Sequence, residues 1–348
     1  MSTFRVIHYD HSGKALGECT PNNLSFGMPL NDVGYIQYDL DRNHPLANYL
    51  YTRPYVTDWQ LWVDDIPLMG GLHTSINRQD VSSNCITVAG KDWLHYLEKR
   101  QYPFNPDPAH VSDYWLSLTT TDIFTVVSTM LNTTLSMSNS LAFTYSFGTC
   151  GNTISYNIPM GDTEDIASKL KALAGGSPGF DFFISYDKVI TLYSPHKVTT
   201  SNLIFELGRN LADVTWTNNG PNATHTLGLV TGLSTNLGVM IESSQQSLYR
   251  RLDNSVSFDG IFDAPSLLTQ TTGQQLRDEK PMIELPLTIV PDTDFWTYTR
   301  PGVVAQVIIP DPYQDINDYY RIVGLECTPS DEGDAIVTVT VDDQTLSL

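Results

Sequence analysis

Four residues near the start of the chain, His8-Tyr9-Asp10-His11, include three side chains that could bind a metal or transfer protons. In an extended strand, His8 and Asp10 share one face because side chains alternate, whereas His11 begins the following turn. Such an arrangement is a poor geometry for common metal coordination. We therefore expect these residues to be structural, with no bound metal.

Three aspartates near the C-terminus, Asp311, Asp315 and Asp318, could supply oxygen ligands to Ca²⁺. Their spacing lacks the glycine and the bidentate glutamate of a helix–loop–helix calcium site. The pattern is more typical of a solvated acidic loop.

The run Gly175-Gly176-Ser177-Pro178-Gly179 has the glycine content of a phosphate-binding loop. It lacks the Lys-Ser/Thr pair of a nucleotide loop, and it follows a predicted helix instead of preceding one. The helix dipole at that end would repel a phosphate. We interpret the run as a connecting loop.

Sequence motifs give little support for nucleophilic or metal-dependent catalysis. His-Glu-x-x-His does not occur, and the one match to Gly-x-Ser-x-Gly is the same Gly175–Gly179 run, which follows a predicted helix, whereas the nucleophile of that motif sits on a turn from a strand into a helix. The adjacent carboxylates Asp64-Asp65 would diverge on a strand, and Glu164-Asp165 would favour the start of a helix. We expect no enzymatic activity, no cofactor, and no catalytic or metal-binding residue.

The cysteines, Cys19, Cys85, Cys150 and Cys327, are scattered and form no Cys-x-x-Cys pair. A zinc site is therefore not expected, and buried free thiols are the simplest interpretation.

The composition and net charge argue against a nucleic-acid-binding function. The 348 residues have a formal net charge of −20 at pH 7, and only 17% are charged. An acidic surface repels nucleic acid, so DNA binding through a basic groove is not expected.

Abundant Tyr, Thr, Ser and Asn favour strands and polar loops. We find no signal peptide and no apolar run long enough for a membrane helix, and expect a soluble protein made in a cytoplasm.

The stretch from Val56 to Arg100 shows how the first elements are arranged. An alternating strand around Trp59 leads through a turn, Gly70-Gly71, into polar strands and then a short helix that Asp92 is placed to cap. Residues 1–100 are predicted to form a barrel, or a sheet closed on itself.

The prolines between Tyr102 and Pro108 prevent regular pairing and mark a boundary. Beyond it, helical spacing predicts helices near residues 121–131 and 163–174, followed by a hairpin near 180–193. Residues 101–199 are therefore predicted to form a mixed α/β insertion. Strands return after Leu207 and are expected to complete the first barrel, by about residues 200–245. Pro265–Lys280 is a predicted helix, which Gly273 weakens.

Two terminal patterns carry a family resemblance. Near the C-terminus, a Pro-Gly turn opens the strand Arg300–Ile309, followed by Tyr320–Glu326 and Ala335–Val341. Near the N-terminus lies the run Leu30–Leu40. Their order, with the insertion between them, resembles the tail-hub (tail-tip, baseplate-hub) proteins of long-tailed bacteriophages. The N-terminal run is similar to minor tail proteins of siphophages that infect actinobacteria.

The resemblance implies a mainly β (β+α) protein with two tube-like β-barrel domains and a mixed α/β insertion domain. The expected domains are 1–100 with 200–245, 101–199, and 246–348. It implies a homotrimer forming a pseudo-six-fold ring at the distal end of the virion tail, stacked on the distal tail protein ring or tail tube. The tape measure protein and other tail-tip or fibre proteins would be neighbours, and DNA would pass through the lumen without specific binding.

Two other functions remain open at this point. The six Trp and 18 Tyr could stack on sugars in a receptor- or carbohydrate-binding tail-tip protein. An exposed aromatic cluster would favour that function, whereas aromatic side chains distributed through the cores would favour the hub. A cell-wall hydrolase is the third candidate, and no motif supports it.

Overall fold

The computed structural model describes most of the chain. The described residues are 3–48, 53–77, 84–102, 114–137, 140–145, 147–159, 161–176, 179–194, 196–215, 217–218, 220–230, 237–244, 247–258, 261, 263–279, 283–291, 294–310, 315–329 and 335–342. The predicted proline boundary at Pro103–Pro108, the residue Asp311 and the helix end at Lys280 lie outside them.

Strands dominate the described residues, which confirms the mainly β class. The strands are β1 Phe4–Tyr9, β2 Ala15–Cys19, β3 Asn22–Pro29, β4 Tyr35–Asp41, β5 Asp58–Val63, β6 Ile66–Asn77, β7 Cys85–Asp92, β8 Tyr114–Asp122, β9 Thr144–Tyr145, β10 Thr153–Pro159, β11 Asp181–Ile184, β12 Val189–Tyr193, β13 Thr199–Glu206, β14 Leu211–Val214, β15 Thr217–Asn218, β16 His225–Val230, β17 Leu237–Glu242, β18 Asp253–Ser257, β19 Ile283–Ile289, β20 Val303–Ile309, β21 Ile316–Pro329 and β22 Ala335–Asp342. The helices are α1 Leu94–Glu98, α2 Ile123–Leu135, α3 Ile166–Ala174, α4 Ala264–Asp278 and α5 Phe295–Tyr298, with a 3-10 turn at Pro45–Ala47.

The largest sheet in the described part of the chain has 14 strands. Its main path runs β2-β1-β5-β6-β7-β4-β3-β21-β22-β19-β14, while β20 branches from β21 and carries β13, and β15 pairs with β19. The N-terminal and C-terminal strands meet where β3 pairs with β21, with Phe26 opposite Cys327 and Met28 opposite Leu325. Backbone hydrogen bonds therefore join the two ends of the chain.

One core serves both halves of this sheet. Trp296 of α5 packs its ring 5.5 Å from Phe4 and 5.8 Å from Phe26, so a C-terminal helix covers N-terminal strands. Trp59 and Trp296 are fully buried within it. Burying a large apolar side chain contributes about 1.5–3 kcal/mol, which makes this shared core a main source of stability.

Two details of the β5–β6 hairpin differ from the sequence interpretation. The turn between β5 and β6 is Asp64-Asp65, whose positive φ angles of 46° and 66° suit a tight two-residue hairpin. Gly70 and Gly71, expected at the turn, lie inside β6. A Cβ on Gly71 would lie 1.9 Å from the carbonyl oxygen of Lys91, so the close approach of β7 requires glycine there.

A second core lies under the α/β region. The predicted helices are confirmed as α2 and α3, capped by the carboxylates of Asp122 and Asp165, and the predicted hairpin as β11–β12. α4 is also confirmed, with Pro265 in its first turn and Gly273 buried inside it. Thus, Gly273 does not prevent the helix, because tertiary packing outweighs its low propensity.

Strand pairing after residue 199 does not decide the expectation that this stretch completes the first barrel, which stays a prediction. β13 pairs with β20 and β14 with β19, both within the C-terminal part of the large sheet. β16 pairs with β17 and β18 in a separate sheet, and α4 packs so closely that Thr271 fills the space beside Gly228. Val230 and Leu267 are buried in the second core, and this burial accounts for the placement. The domain boundaries themselves stay a prediction.

Candidate functional site

The His8-Tyr9-Asp10-His11 group is not brought together. His8 points into the core of the large sheet and is fully buried. Asp10 lies in the turn after β1, where its carboxylate accepts hydrogen bonds from the backbone N–H groups of Ser12 and Lys14 at 2.9 and 3.0 Å. His11 is exposed in the same turn. The alternation of side chains along the strand separates them.

His8 instead belongs to a buried polar cluster. Its ring stacks on that of His73 at 4.9 Å, and the Tyr38 hydroxyl lies 3.1 and 3.3 Å from the Nε2 atoms of His8 and His73. Burial lowers the pKa of His8 well below its usual value, and it lowers the pKa of His73 to about 4. Both rings are therefore neutral at physiological pH. Nδ1 of His73 lies 2.9 Å from the Thr57 hydroxyl, which holds this ring in place.

The other predicted sites also have structural roles. The backbone amides of Gly175 and Gly176 donate to carbonyls of the last turn of α3, at 2.9 and 3.2 Å, so neither is free for a phosphate. Asp318 lies within β21 and Asp315 just before it. Glu164 contacts the buried Lys169 at 2.9 Å. Within the described ranges, no group of three His, Cys, Asp or Glu side chains could hold a metal ion.

The four cysteines are free thiols, and Cys19 and Cys327 are buried. Burial raises the pKa of both to about 12, so these two thiols are protonated and unreactive near neutral pH. Cys85 and Cys150 are partly exposed. No helix of the described residues is long and apolar enough to cross a membrane.

The polar feature that spans the fold is a junction centred on Asp181, the first residue of β11. Its carboxylate accepts a hydrogen bond from Arg321 of β21 at 2.5 Å, one from the Asn31 side chain at 2.7 Å and one from the Lys197 backbone at 2.6 Å. Nη2 of Arg321 also donates to Asp342 at 3.1 Å. Asp181 and Arg321 are 2% and 5% exposed, so this ion pair is shielded from water and salt.

The charge on Asp181 is stabilised by its surroundings. Burial by itself would raise the pKa of its carboxyl, but His196, Arg321 and the donated hydrogen bonds hold the pKa below its usual range. Asn31, with a φ of 60°, adds a second contact by accepting the backbone N–H of Phe182 at 2.7 Å. Three separate parts of the chain therefore converge on one carboxylate.

The hairpin turn after β11 attaches to the large sheet at a second point. The carbonyl of Tyr186 accepts hydrogen bonds from the indole of Trp93 at 3.0 Å and from the Gln60 amide at 3.4 Å. Nζ of Lys188 lies 2.8 Å from the Asp58 carboxylate and 4.5 Å from the centre of the Trp93 ring. Buried groups thus fix the hairpin at both ends.

Asp92 lies at the end of β7, just before α1. As expected, its carboxylate accepts a hydrogen bond from the first turn of that helix, and it also binds a second part of the chain. Its carboxylate accepts from the backbone N–H of Leu94 at 3.1 Å and from that of Gly34 at 2.8 Å. Burial raises its pKa to about 7 despite these hydrogen bonds. The carboxyl therefore changes protonation near neutral pH.

Together these contacts make a rigid connection between the α/β region and the large sheet, and they contain no nucleophile–base pair. No sequence motif marks Asp181, Arg321 or Asn31 as members of a site. Side chains alternate between the two faces of β21, and Ile322 faces the core. From the sequence alone, the neighbouring Arg321 is therefore expected to face solvent. Only the tertiary placement of β11 covers it.

No protein-family model matches the chain, and no curated protein matches it at a significant level. Solved structures do match. A tail protein of Neisseria meningitidis MC58 superposes with a TM-score of 0.66 at 12% identity, over 98% of this chain and 97% of that one. A 43 kDa tail protein of prophage MuSo2 from Shewanella oneidensis gives 0.66 at 11% identity, over 98% and 99%. A prophage tail protein of Listeria monocytogenes gives 0.60 at 9% identity, over 98% and 95%. The chain therefore has the fold of phage tail proteins from end to end.

Proposed function

We propose that this protein is a structural hub at the distal end of a bacteriophage tail. The observation that carries the proposal is the likeness of the whole chain to phage tail proteins, over 98% of its length, at identities of only 9–12%. A likeness over the entire length supports a shared architectural role for the whole molecule.

In this proposal three copies form a ring of pseudo-six-fold symmetry that continues the tail tube. Each copy supplies two strand-rich regions, one from residues 1–100 and one from the C-terminal part. The β3–β21 pairing supports this arrangement, because it holds the two regions side by side in one sheet. The ring would stack on the distal tail protein ring or tail tube, next to the tape measure protein and other tail-tip or fibre proteins.

The α/β region would lie on the outside of the ring. The junction at Asp181 supports a fixed orientation for it, since a buried ion pair resists reorientation more strongly than an exposed one. The net charge of −20 per chain supports a channel that gives DNA no counter-charge to bind.

The sugar-binding alternative based on tryptophan stacking has less support. Of the five tryptophans in the described part of the chain, Trp59, Trp93 and Trp296 are at most 1% exposed and cannot contact a ligand, while Trp62 and Trp115 are half-buried. Aromatic side chains distributed through cores favour the hub. For hydrolysis, no described residues supply a motif or a matched acid–base pair, and a peptidoglycan-release assay on the purified protein tests this third alternative.

The experiment that tests the hub is the mass of the assembly, in solution and after cross-linking in intact virions. We expect a species of about three times the chain mass of 38.8 kDa, placed next to a six-fold ring in a reconstruction of the tail. A stable hexamer, or a monomer within the virion, would contradict the proposed ring. Helices α2 and α3 lining the channel wall would contradict the proposed position of the α/β region.

A further inference from the structure

A cleft of about 880 Å³ opens where β13 passes α5. It is lined by residues of both elements and of the loops beside them. The charged side chains of the lining are the cations Lys197, Arg209 and Arg300 and the acid Asp294. In a chain with twice as many acidic as basic residues, this local excess of positive charge requires an explanation.

Lys197 is held in the cleft without an acidic partner. Its Nζ lies 4.6 Å from the centre of the Phe183 ring and 5.5 Å from that of Tyr193. The aliphatic part of the Lys197 side chain packs against Gly302. A Cβ added to Gly302 would lie only 2.5 Å from the Cγ atom of Lys197. Within the described part of the chain, no carboxylate lies within ion-pair distance of this ammonium group, and the nearby Asp181 is already bound by Arg321.

Arg300 faces the same space. Its Nη1 donates to the backbone carbonyls of Trp296 and Thr299, at 2.5 and 2.7 Å, which orients the guanidinium. Burial, together with the charge of Arg300, lowers the pKa of Lys197 to about 8. Two partly buried cations that repel each other are stabilised by an anion bound between them. Arg209 lies at the edge of the cleft, largely exposed, with its Nη1 atom 3.7 Å from the Glu206 carboxylate, so its charge is partly compensated.

The rest of the lining is suited to a sugar. Thr199, Asn202 and Thr297 supply hydroxyl and amide groups, which match the hydroxyls of a saccharide. The Ser201 hydroxyl already donates to the carbonyl of Val304 at 2.8 Å. Tyr298 is 57% exposed, and its ring offers a flat apolar face. Such a combination of one aromatic face with polar groups is typical of small-molecule recognition.

The alternative ligand for this cleft is a peptide that adds a strand to the edge of the sheet, and the geometry disfavours it. β13 lies at an edge of the sheet, pairing only with β20 among the described strands. However, the Asn210 side chain donates to the carbonyl of Ile204 at 2.8 Å and accepts the N–H of Glu206 at 3.0 Å. The Leu203 N–H donates to the Ser201 hydroxyl at 3.2 Å. The backbone groups that a peptide strand would need are therefore already bound.

We propose that this cleft binds an acidic saccharide, with the sugar carboxylate between Lys197 and Arg300 and the ring against Tyr298. The proposal concerns the isolated chain and does not depend on a trimeric ring. It uses cations and one tyrosine in place of stacked tryptophans.

Isothermal titration of the purified protein with trigalacturonate, at low and at physiological ionic strength, tests the proposal. We expect saturable binding that weakens with salt, and no binding of the neutral control maltotriose. Lys197→Met keeps the apolar stem and should weaken binding about tenfold or more, since it removes a charge-assisted hydrogen bond. Tyr298→Ala and Arg209→Gln, both at exposed positions, should weaken it by smaller factors.

Arg251→Gln is the matched control, because it removes one exposed positive charge outside the cleft. It should bind as the wild type does, and circular dichroism should show that every variant is folded. Absence of saturable trigalacturonate binding, or equal binding of maltotriose, would overturn the proposal. So would an equal loss in Arg251→Gln, or tighter binding of a triglutamate peptide, which would assign the cleft to acidic polypeptides.

Discussion

The guanidinium of Arg321 in β21 donates to the carboxylate of Asp181 in β11 at 2.5 Å, although 140 residues separate them in the chain. The pair is buried between the α/β region and the large sheet. It is therefore both an attachment point and a place where single substitutions leave a charge without compensation.

Replacing Arg321 by Met should destabilise the protein by about 3–5 kcal/mol, because Asp181 then stays buried without its main counter-charge. The double variant Asp181→Asn with Arg321→Met should recover part of that loss. Urea unfolding followed by circular dichroism gives the free energies for the double-mutant cycle.

The control for this cycle is Arg251→Met, which breaks an exposed ion pair with Asp253 and should change stability little. A double variant that is as unstable as the sum of the single variants would show that Asp181 and Arg321 act independently.

The buried histidine pair predicts a loss of stability in acid. The pKa of His73 is about 4 in the folded chain, against 6.5 for an unperturbed histidine, so the unfolded chain binds more protons between these values. The contribution of neutral His73 is complete above about pH 6.5 and is lost as the pH falls toward about 4. The total loss is about 3 kcal/mol.

Asp92 acts in the opposite direction, because its pKa is raised to about 7 and the folded chain holds its proton more tightly. The effect of His73 is therefore measured as a difference between the wild type and His73→Gln in urea unfolding across this pH range. The stability gap should shrink as the pH falls, whereas His11→Gln, at an exposed turn, should follow the wild type. A gap independent of pH would contradict the assignment.

Close packing of β6 against β7 predicts that Gly71→Ala is strongly destabilising. The added methyl group would lie 1.9 Å from the carbonyl oxygen of Lys91, and the backbone must move to accept it. We expect a loss of about 1–3 kcal/mol or more in thermal or urea unfolding. Gly148→Ala meets no atom within 4 Å and should be nearly neutral. Equal stability of the two variants would refute the tight β6–β7 contact.

The proposed acidic channel predicts how DNA release depends on charge. Repulsion by a ring of carboxylates is a summed field, so removing one acid per chain should change little. Replacing several channel-facing acids by Lys should create phosphate contacts that slow ejection, and less so at high salt. DNA release from such particles at two salt concentrations is the measurement. Unchanged release at low salt, with the lysines confirmed in the channel, would mean that the acidity serves solubility.

Local patterns made several elements predictable. The 3.6-residue spacing of Ile123, Val127 and Met130 is sufficient to predict α2, whereas its capping by Asp122 was found in the structure. The prediction of a turn at Gly70-Gly71 was wrong, because glycine occurs both in turns and at positions where a neighbouring strand approaches closely. The local sequence does not distinguish these two cases.

By itself the sequence determined the mainly β class, the helices of the α/β region and the free thiols, because these depend on composition, short-range periodicity and cysteine spacing. Only the tertiary structure decided that β3 pairs with β21, that β13 and β14 join the C-terminal strands, and that Asp181 meets Arg321. Strand alternation specifies which face a residue occupies, but not which distant strand or charge lies opposite. Long-range burial makes that choice, since it decides whether an outward-facing arginine contacts water or a buried carboxylate.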